Sequence, residues 1–432
     1  MTRILLNKNS LSKVVLSLSF LILSACATYQ GKVNKSRDLL KQGKTTDALV
    51  ELEKLASEKS DDQLVYVLDY AMALHIAGQY KESNQAFLKA DKLTEVNDYH
   101  SASNIVAATL GSEDQIQYKG DSFEKVLINA YLAINYLMLD QYDDALVECR
   151  RINEKLVKFK ADNKQNYELN PFAKYLSALI WESDHKFDDA YIAFEESYQL
   201  DSTNSFIAED LVRGAKNARR DESYKKWKKE FTTVKEDPKA SDKSYGELVF
   251  IFEQGWGPEK HIRPENHRFP ILYPSYSETS GAKVSIQSTL GTGKKMAYDL
   301  TDKGLTLSTE NVYDVEKVAI KTLNDDYGWL VARRLGAQVA KAVAADQLRQ
   351  KNELLGGLAW VAMNISDRAD LRQWSTLPKT IQMARTYLKG GTYVLSAQGL
   401  NSFGSLTNDQ MAEKTIKILP GRKTFITWRS LR

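Results

Sequence analysis

A recurring helical motif constrains the fold of the first half of this chain more than any other feature. In each copy a small residue in one helix is followed by a turn, an aromatic residue, and then alanine and a large apolar residue at helical spacing. The copies comprise Ala71, Leu74, Gly78, Tyr80, Phe87 and Ala90; Ala133, Tyr136, Tyr142, Ala145 and Cys149; Ala178, Trp181, Phe187, Ala190 and Phe194; and a degenerate first copy with Leu39, Gly43, Ala48, Leu52 and Leu55. The small residues let two antiparallel helices touch, and the larger ones fill the space between consecutive pairs. The sequence therefore predicts a stack of helix pairs.

The motif resembles the tetratricopeptide repeat, whose period is about 34 residues. It departs from that repeat at Ser83, which replaces the usual alanine, and at Asp140 and His185, which stand where the turn often has glycine. The resemblance implies a TPR-like α-solenoid over residues 26–240, and packing is the expected role of the repeat residues. Cys149 is accordingly expected to be a small buried hydrophobic residue rather than a reactive thiol.

A solenoid of this kind presents a concave face to proteins or peptides. The first helix of each pair lines that face, and the residues expected there as partner-binding candidates are Asn129, Asn135, Lys174 and Tyr175. This half contains no combination of nucleophile, base and orienting acid. We therefore expect a protein that is not an enzyme and that needs no cofactor.

The N-terminus has the three parts of a secretory signal. Arg3, Lys8 and Lys13 form a basic start, residues 14–23 are apolar, and a small-residue box ends in Cys26. The apolar stretch is too short to remain as a helix across about 30 Å of hydrocarbon. We expect residues 1–25 to be a lipoprotein signal peptide and Cys26 to carry acyl chains such as palmitate, which hold a protein stably at a membrane when more than one is present.

The residues after Cys26 are Ala27 and Thr28, and the absence of aspartate there resembles bacterial lipoproteins sorted to the outer membrane. The expected location is the outer membrane, facing the periplasm; the alternative is an ordinary signal peptide cut elsewhere. Because Cys149 is the one other cysteine, a disulfide framework is excluded. A net charge of +3 gives no support for a nucleic-acid partner.

Residues 241–432 read as a mixed α+β domain with a helical insert. Strand-like segments are expected at 248–253, 271–273, 283–287, 295–300, 305–308, 380–388, 392–397, 415–419 and 423–428. The insert is a helix from about Val312 to Gln350, broken near residues 325–328. The apolar segment from Leu354 to Met363 is expected to be a buried helix or, alternatively, a hairpin that enters lipid. The sequence leaves open whether the terminal strands pair with the strand at Leu248.

Between the two halves, residues 213–239 are strongly charged. They predict a polar helix that closes the solenoid and then a linker; the alternative is a basic strip that touches anionic lipid.

Residues 259–270 are expected to form a proline-bounded loop rich in charge. Arginine matches carboxylates and phosphates bidentately, so this region predicts an anion- or glycan-binding site formed by Trp256, Lys260, Arg263, His267 and Arg268. A metal held by His261, Glu265 and His267 and a solvated connection without a specific role are the alternatives. Arg368 and Arg372 are expected to be ion-paired structural residues or, one helical turn apart, to hold a carboxylate together.

Three features together carry a second resemblance: the box at Cys26, the helical repeats, and the turn at residues 255–258 followed by Asp367 through Pro378. In this order they resemble a family of largely uncharacterised bacterial lipoproteins, which implies an envelope role and supplies no catalytic residue. We expect a lipid-anchored adaptor whose concave face binds other envelope proteins. The alternative is a C-terminal module that binds cell-wall glycan, such as peptidoglycan, or anionic lipid.

Overall fold

The structure is a computed structural model that describes residues 29–103, 117–162, 164–289, 305–351 and 369–432. The expected signal peptide and Cys26, the strand expected at 295–300, Arg368 and the apolar segment from Leu354 to Met363 lie outside these residues. Among the helices of the described part, none is both long enough and apolar enough to span a membrane.

The first half consists of antiparallel helix pairs, as the motif predicts. The pairs in the described residues are α1 (Tyr29–Lys41) with α2 (Thr45–Ser57), α3 (Gln63–Ile76) with α4 (Tyr80–Ser103), α5 (Ser122–Met138) with α6 (Tyr142–Ala161), α7 (Pro171–Ser183) with α8 (Phe187–Leu200), and α9 (Ile207–Asn217) with α10 (Asp221–Glu230). The four copies of the motif coincide with the first four pairs. The charged helix α10 ends the series.

The turns inside the helix pairs explain why Asp140 and His185 can stand where the repeat often has glycine. Gly43 and Gly78 have φ of 75° and 74°, and Asp140 and His185 hold the same left-handed conformation with φ of 57° and 59°. One such residue ends the first helix and reverses the chain; the amide of Gln141, for example, donates to the carbonyl of Tyr136 at 2.8 Å. Arg219 does the same in the last pair, with φ of 57°.

The second half contains strands, one long helix and a short connection after α10. The elements are β1 (Tyr245–Gln254), β2 (Glu259–Arg263), β3 (Asn266–Tyr273), β4 (Gly281–Ser288), β5 (Leu305–Ser308), β6 (Glu310–Asp314), α11 (Val315–Lys351), β7 (Thr380–Lys389), β8 (Gly391–Leu400), β9 (Leu406–Ile418) and β10 (Lys423–Arg429). This arrangement confirms the expected fold class of an α-solenoid followed by an α+β region.

Among the described residues, the strands form two four-stranded sheets and a hairpin. The first sheet has the order β10-β1-β7-β6, the second has β5-β4-β8-β9, and β2 pairs with β3. β1 pairs in parallel with β10 and antiparallel with β7. The terminal strands therefore do pair with the strand at Leu248.

Strand β1 sits between two cores because its side chains alternate. Leu248, Phe250 and Phe252 pack with β4, β8 and β9 of the second sheet. Val249 and Ile251 pack on the opposite side, in the cluster that contains the helical repeats. A strand buried on both faces reads as a continuous apolar run, and residues 248–252 are such a run. The molecule thus has three layers: solenoid, first sheet and second sheet.

Two expectations about the second half are wrong. Residues 259–270, expected to form a loop, instead belong to the β2–β3 hairpin, since backbone pairing continues on both sides of the turn after Arg263; the strand expected at 271–273 is the end of β3. The helical insert begins at Val315, after strand β6, and α11 continues without a break through residues 325–328. Gly328 does not end the helix, because a single glycine lowers helix stability by only about 1 kcal/mol.

Candidate functional site

The inner face of the solenoid is covered by the first sheet of the same chain. At its centre, His75 of α3 lies between two partners: its Nε2 is 2.8 Å from Oε1 of Glu253 in β1, and its Nδ1 is 2.5 Å from Oδ1 of Asn135 in α5. Burial alone would lower the pKa of His75, but the Glu253 carboxylate raises it. Tyr131 and Thr427 also donate to Glu253, at 3.1 and 2.7 Å.

Asp69 of α3 holds the segment that precedes β7. Its Oδ1 accepts the backbone amide of Thr376 at 3.0 Å and the hydroxyl of the same residue at 2.9 Å. The hydroxyl of Ser375 lies 3.1 Å from the carboxylate, and the hydroxyl of Tyr29 donates to Oδ2 at 2.8 Å. Burial raises the pKa of Asp69 to about 6 despite these donors.

Glu124 of α5 fixes the same segment two residues earlier. Its Oε1 accepts the backbone amide of Trp374 at 3.0 Å, and its Oε2 accepts the hydroxyl of Tyr118 at 2.6 Å. Burial raises the pKa of Glu124 to about 7. The Trp374 ring packs against Tyr131 and Phe87, with ring centroids 5.9 and 5.7 Å apart. Apolar packing and carboxylate contacts therefore act together at this position.

Arg385 of β7 joins the far end of the solenoid to the sheet. Its guanidinium donates to both oxygens of Asp210 in α9, at 2.7 and 3.0 Å, and to Glu247 in β1 at 2.7 Å. Burial alone would raise the pKa of Asp210, but Arg385 and then Arg213 lower it. Each buried carboxylate here faces at least one cation, which is the condition under which buried charges are tolerated.

A second charged contact lies beside this one. Lys423 of β10 is 2.9 Å from the Glu182 carboxylate of α7, and it also contacts Glu247. Arg213 donates to both oxygens of Glu182, at 2.8 and 2.7 Å. Burial alone would raise the pKa of Glu182, but Arg213 and then Lys423 lower it.

The structure places all four partner-binding candidates inside the molecule. Asn135 donates to Ser83 at 2.9 Å as well as contacting His75, and Tyr175 donates to Asp210 at 2.5 Å. Asn129 donates to Glu148 at 2.7 Å, and Lys174 contacts Asn153 and Glu196. All four are buried. The expectation that these residues form an open surface is wrong for this conformation. The sheet would have to leave the inner face before Asn135 or Tyr175 could meet a partner, whereas Asn129 and Lys174 contact side chains of the second helices α6 and α8. A contact with a partner stays a prediction.

The anion- or glycan-binding candidates are not brought together as one site. Trp256 is only 3% exposed and packs with Leu40, Ala48 and Leu52 of the first helix pair. Its Nε1 donates to the carbonyl of Leu431 at 2.9 Å. Its expected role as an exposed platform for a sugar is therefore wrong, because apolar burial in the helix pair covers the ring.

The other four candidates lie on the β2–β3 hairpin. Lys260 donates to the carbonyl of Arg372 at 2.8 Å, and the guanidinium of Arg263 stacks 4.4 Å from the centre of the Tyr327 ring in α11. His267 is exposed and Arg268 is half-buried. Lys260 and Arg263 thus already contact groups of the same chain, and binding of an anion by this hairpin stays a prediction.

Two observations within the described residues concern metal and substrate binding. Within residues 29–103, 117–162, 164–289, 305–351 and 369–432, no group of three or more His, Cys, Asp or Glu side chains is placed to hold a metal ion. A cleft between α1 and the hairpin, lined by Tyr29, Gln30, Glu259 and His261 among others, encloses about 60 Å³. That volume suits water rather than a substrate. Cys149 is buried as expected, and burial raises the pKa of its thiol to about 12.

The segment from Asp367 to Pro378 proves to be structural where it is described. Arg372 pairs with Asp370 at 2.8 Å and with Asp62 at 3.2 Å, which confirms its expected role as an ion-paired residue. The sequence analysis missed Asp69, His75, Glu253 and Arg385. The signal that indicates them is the apolar run at residues 248–252, because a strand buried on both faces requires a second covering layer.

The chain matches no protein-family model and no curated protein. Among solved structures, residues 41 to the end of MamA from Desulfovibrio magneticus RS-1 are 18% identical, with a TM-score of 0.31 over 46% of this chain and 89% of that chain. The TPR-like repeats of a putative kinesin light chain from Podosopora anserina are 13% identical, with a TM-score of 0.32 over 47% of this chain and 93% of that chain. These likenesses concern about half of this chain, and they concern fold alone.

Proposed function

We propose that this protein is a lipid-anchored, non-enzymatic scaffold of the bacterial envelope that binds other envelope proteins through the outer surface of its helical repeats. One observation carries the proposal: the inner face, the usual recognition surface of a solenoid, already holds β1, β7 and β10 of the same chain. The solenoid thus acts as a clamp on its own sheet. A partner then has the outer helices available.

The outer helices support this proposal by what they expose. Val50 in α2, Val147 in α6 and Ile192 in α8 occupy the same position, the sixth residue of the second helix of their pairs. They are 65%, 40% and 38% exposed, and Val157 in α6 is 71% exposed. Single exposed apolar residues need no explanation, but three at an equivalent position across the repeats form a row that an extended partner can follow.

The absence of an enzymatic role is supported by the use of the buried ionisable groups. Asp69, His75, Glu124, Glu253 and Arg385 all contact groups across the solenoid–sheet boundary. Groups committed to such contacts are not free for acid–base work on a substrate. The lipid anchor is supported by the small-residue box that ends in Cys26, after the apolar run of residues 14–23.

The test is crosslinking in cells of a species that carries this protein, with a photoreactive residue placed at Val147 or Ile192. We expect each position to trap the same envelope protein, and Val147→Asp with Ile192→Asp to abolish its co-purification. The matched control places the probe at Glu222, an exposed position in α10, which should trap nothing specific.

The concave alternative makes the opposite prediction. A partner trapped from Asn135, and insensitive to the two aspartate substitutions, would overturn the outer-surface proposal. So would the absence of any specific adduct from Val147, Val157 and Ile192. Incorporation of labelled palmitate that is lost on Cys26→Ser tests the anchor separately.

A further inference from the structure

The place where the chain enters the folded part sets the distance to the proposed lipid anchor. The hydroxyl of Tyr29 lies 2.8 Å from Asp69 and 2.6 Å from the carbonyl of Gln373, and its side chain is buried. Three residues of extended chain span at most roughly 11 Å. If Cys26 is acylated, as the proposed function holds, the surface around Tyr29 therefore lies within about 11 Å of the lipid headgroups.

The β2–β3 hairpin is part of that surface. The side-chain amide of Gln30, next to Tyr29, contacts the backbone carbonyl of Lys260 in β2. Gln30, Glu259 and His261 line the same cleft beside Tyr29. Arg263 lies three residues beyond Lys260 along β2, a distance of about 10 Å at the usual rise of a strand. The hairpin thus lies beside Tyr29, three residues after the proposed anchor at Cys26, and extends away from it.

Positive charge predominates in these two elements. Helix α1 contains Lys32, Lys35, Arg37 and Lys41 against a single acid, Asp38, and residues 259–273 contain Lys260, Arg263 and Arg268 against Glu259 and Glu265. Glu259 is neutralised by Arg37 at 2.8 Å. The local excess of cations at the start of the folded part is therefore at least as large as the net charge of +3 of the whole chain.

The hairpin also exposes groups suited to the region between water and hydrocarbon. Ile262 is 51% exposed between the exposed ring of His261 and the cation of Arg263. The stack of Arg263 on Tyr327 fixes the guanidinium relative to helix α11. The hairpin therefore carries an exposed apolar side chain and the cation of Arg263 close to the proposed lipid anchor, a combination that binds an anionic membrane surface.

We propose that the start of α1 and the β2–β3 hairpin form a docking surface for anionic phospholipid headgroups, with Lys32, Arg263 and the hairpin cations facing their phosphates. This inference rests on the proposed lipid anchor for its geometry. It goes beyond the anchor because it orients the molecule: the end of the solenoid at α1 faces the bilayer, and the end at α10 faces away.

The first experiment removes the anchor, so that headgroup binding is measured by itself. The mature chain with Cys26→Ser is sedimented with vesicles of phosphatidylglycerol and phosphatidylethanolamine, and with vesicles of phosphatidylcholine alone. We expect binding to the anionic vesicles that weakens with added salt. Removing the cations of Lys32 and Arg263 with the neutral pair Lys32→Gln and Arg263→Gln should weaken it about 25-fold in all, since each cation near an anionic surface contributes about fivefold.

The matched control is Lys225→Gln with Lys229→Gln in α10, which removes the same charge at the other end of the solenoid. Its binding should equal that of the unsubstituted chain, and thermal melts of both pairs should show that they remain folded. Equal binding by the two pairs, no binding of the unsubstituted chain to phosphatidylglycerol, or binding to lipopolysaccharide alone would overturn the proposal.

The second experiment uses the full acylated protein in the same vesicles. An environment-sensitive fluorophore is attached after His267→Cys or, as a control, Glu222→Cys; Cys149 is buried and does not compete for the label. Quenching by a headgroup-labelled lipid at position 267 but not at position 222 is the expected result. Equal quenching at both positions would overturn the orientation. Failure of Cys26 to incorporate palmitate would overturn the anchor and the orientation derived from it, and headgroup binding would then be judged by the first experiment alone.

Discussion

Nε2 of His75 lies 2.8 Å from Oε1 of Glu253, and this contact joins the third helix of the solenoid to the first strand of the sheet. The two residues are 178 positions apart in the chain, and both are buried. Asn135 on one side and Tyr131 and Thr427 on the other complete the hydrogen bonding of the pair. Such a contact specifies which face of the strand meets the solenoid. A shift of the strand by one residue would turn Glu253 to the other face and leave His75 and Glu253 buried without each other.

Removing one member of this pair should be costly. We expect Glu253→Ala to lower the free energy of unfolding by about 3–5 kcal/mol, since it leaves His75 buried without its carboxylate. Urea denaturation followed by tryptophan fluorescence measures the change. Glu253→Gln, which keeps the volume and one acceptor, should cost less. The control is the exposed ion pair of Lys35 with Glu51, and Lys35→Ala should leave the urea midpoint unchanged. If Glu253→Ala and Lys35→Ala lost equal stability, burial would not explain the cost of removing Glu253.

Stability should fall as pH rises from about 4 to 7. Burial raises the pKa of Asp69 to about 6 and the pKa of Glu124 to about 7, so the folded state holds these protons more tightly than the unfolded state. Stability therefore declines between the unfolded pKa of each group, about 4, and its folded pKa, because only the folded state is still protonated there; the slope is up to about 1.4 kcal/mol per pH unit for each group. The raised pKa of His75 acts in the same direction, because its contribution is present below pH 6.5 and is lost as pH rises through the folded pKa.

At acidic pH the free energy of unfolding changes in the opposite direction, because it decreases as pH falls. Arg385 and Arg213 lower the pKa of Asp210, and Arg213 and Lys423 lower that of Glu182, in each case against the effect of burial. These contributions are lost as pH falls below about 4. A maximum near pH 4 is expected in urea titrations at several pH values. Asp69→Asn should flatten the decline between pH 5 and 6, and an unchanged slope would contradict the assignment to Asp69.

Two glycines in different surroundings should respond oppositely to alanine. A Cβ on Gly246 in β1 would lie 2.3 Å from the carbonyl oxygen of Leu419 and 2.9 Å from that of Arg422, whereas a Cβ on Gly328 in α11 has no neighbour within 4 Å. We expect Gly246→Ala to destabilise by about 1–3 kcal/mol through forced backbone movement. Gly328→Ala should stabilise by up to about 1 kcal/mol through helix propensity. Thermal melts of the two variants show whether the melting temperature falls for Gly246→Ala and rises for Gly328→Ala. An unchanged melting temperature for Gly246→Ala would show that the backbone of residues 419–422 moves away without cost.

The left-handed turn residues allow a stabilising substitution. Asp140 has φ of 57° in the turn between α5 and α6, a conformation that glycine adopts without strain. Asp140→Gly should therefore raise the free energy of unfolding by about 0.5–1 kcal/mol. The reverse change at the equivalent turn, Gly78→Ala, should lower it by a similar amount, because its φ is 74° and no neighbour crowds the added Cβ. A lower midpoint for Asp140→Gly would indicate that its carboxylate contributes to the turn.

The two halves should unfold together. One apolar cluster includes Ala71, Tyr131 and Leu179 of the helices and Val249, Ile381 and Phe425 of the first sheet. Loss of either half would expose that cluster and the buried charges beside it. Circular dichroism and tryptophan fluorescence should give coincident urea transitions for the whole chain. A transition of the helices separate from that of the sheet would contradict the clamp.

Local pattern by itself determined the helix pairs. The spacing of Ala133, Tyr142 and Ala145 and the turn positions of Asp140 and His185 predicted pairs that the structure contains, because helix contact depends on residues a few positions apart. The strands at residues 305–308, 380–388 and 423–428 were predicted for the same reason. Residues 259–270 instead predict a loop although they belong to the β2–β3 hairpin, since charged residues and prolines obscure the weak alternation of its strands.

Only the tertiary structure decided what fills the concave face. Asn135 and Tyr175 face inward as a repeat pattern requires, but that pattern does not reveal whether the inner face meets a partner or the same chain. Contacts such as His75 with Glu253 and Asp210 with Arg385 join residues more than a hundred positions apart, and no local periodicity encodes them. The sequence therefore determined which faces are apolar or polar, and long-range packing determined that the sheet covers the solenoid, because burial on both sides of β1 requires a second layer.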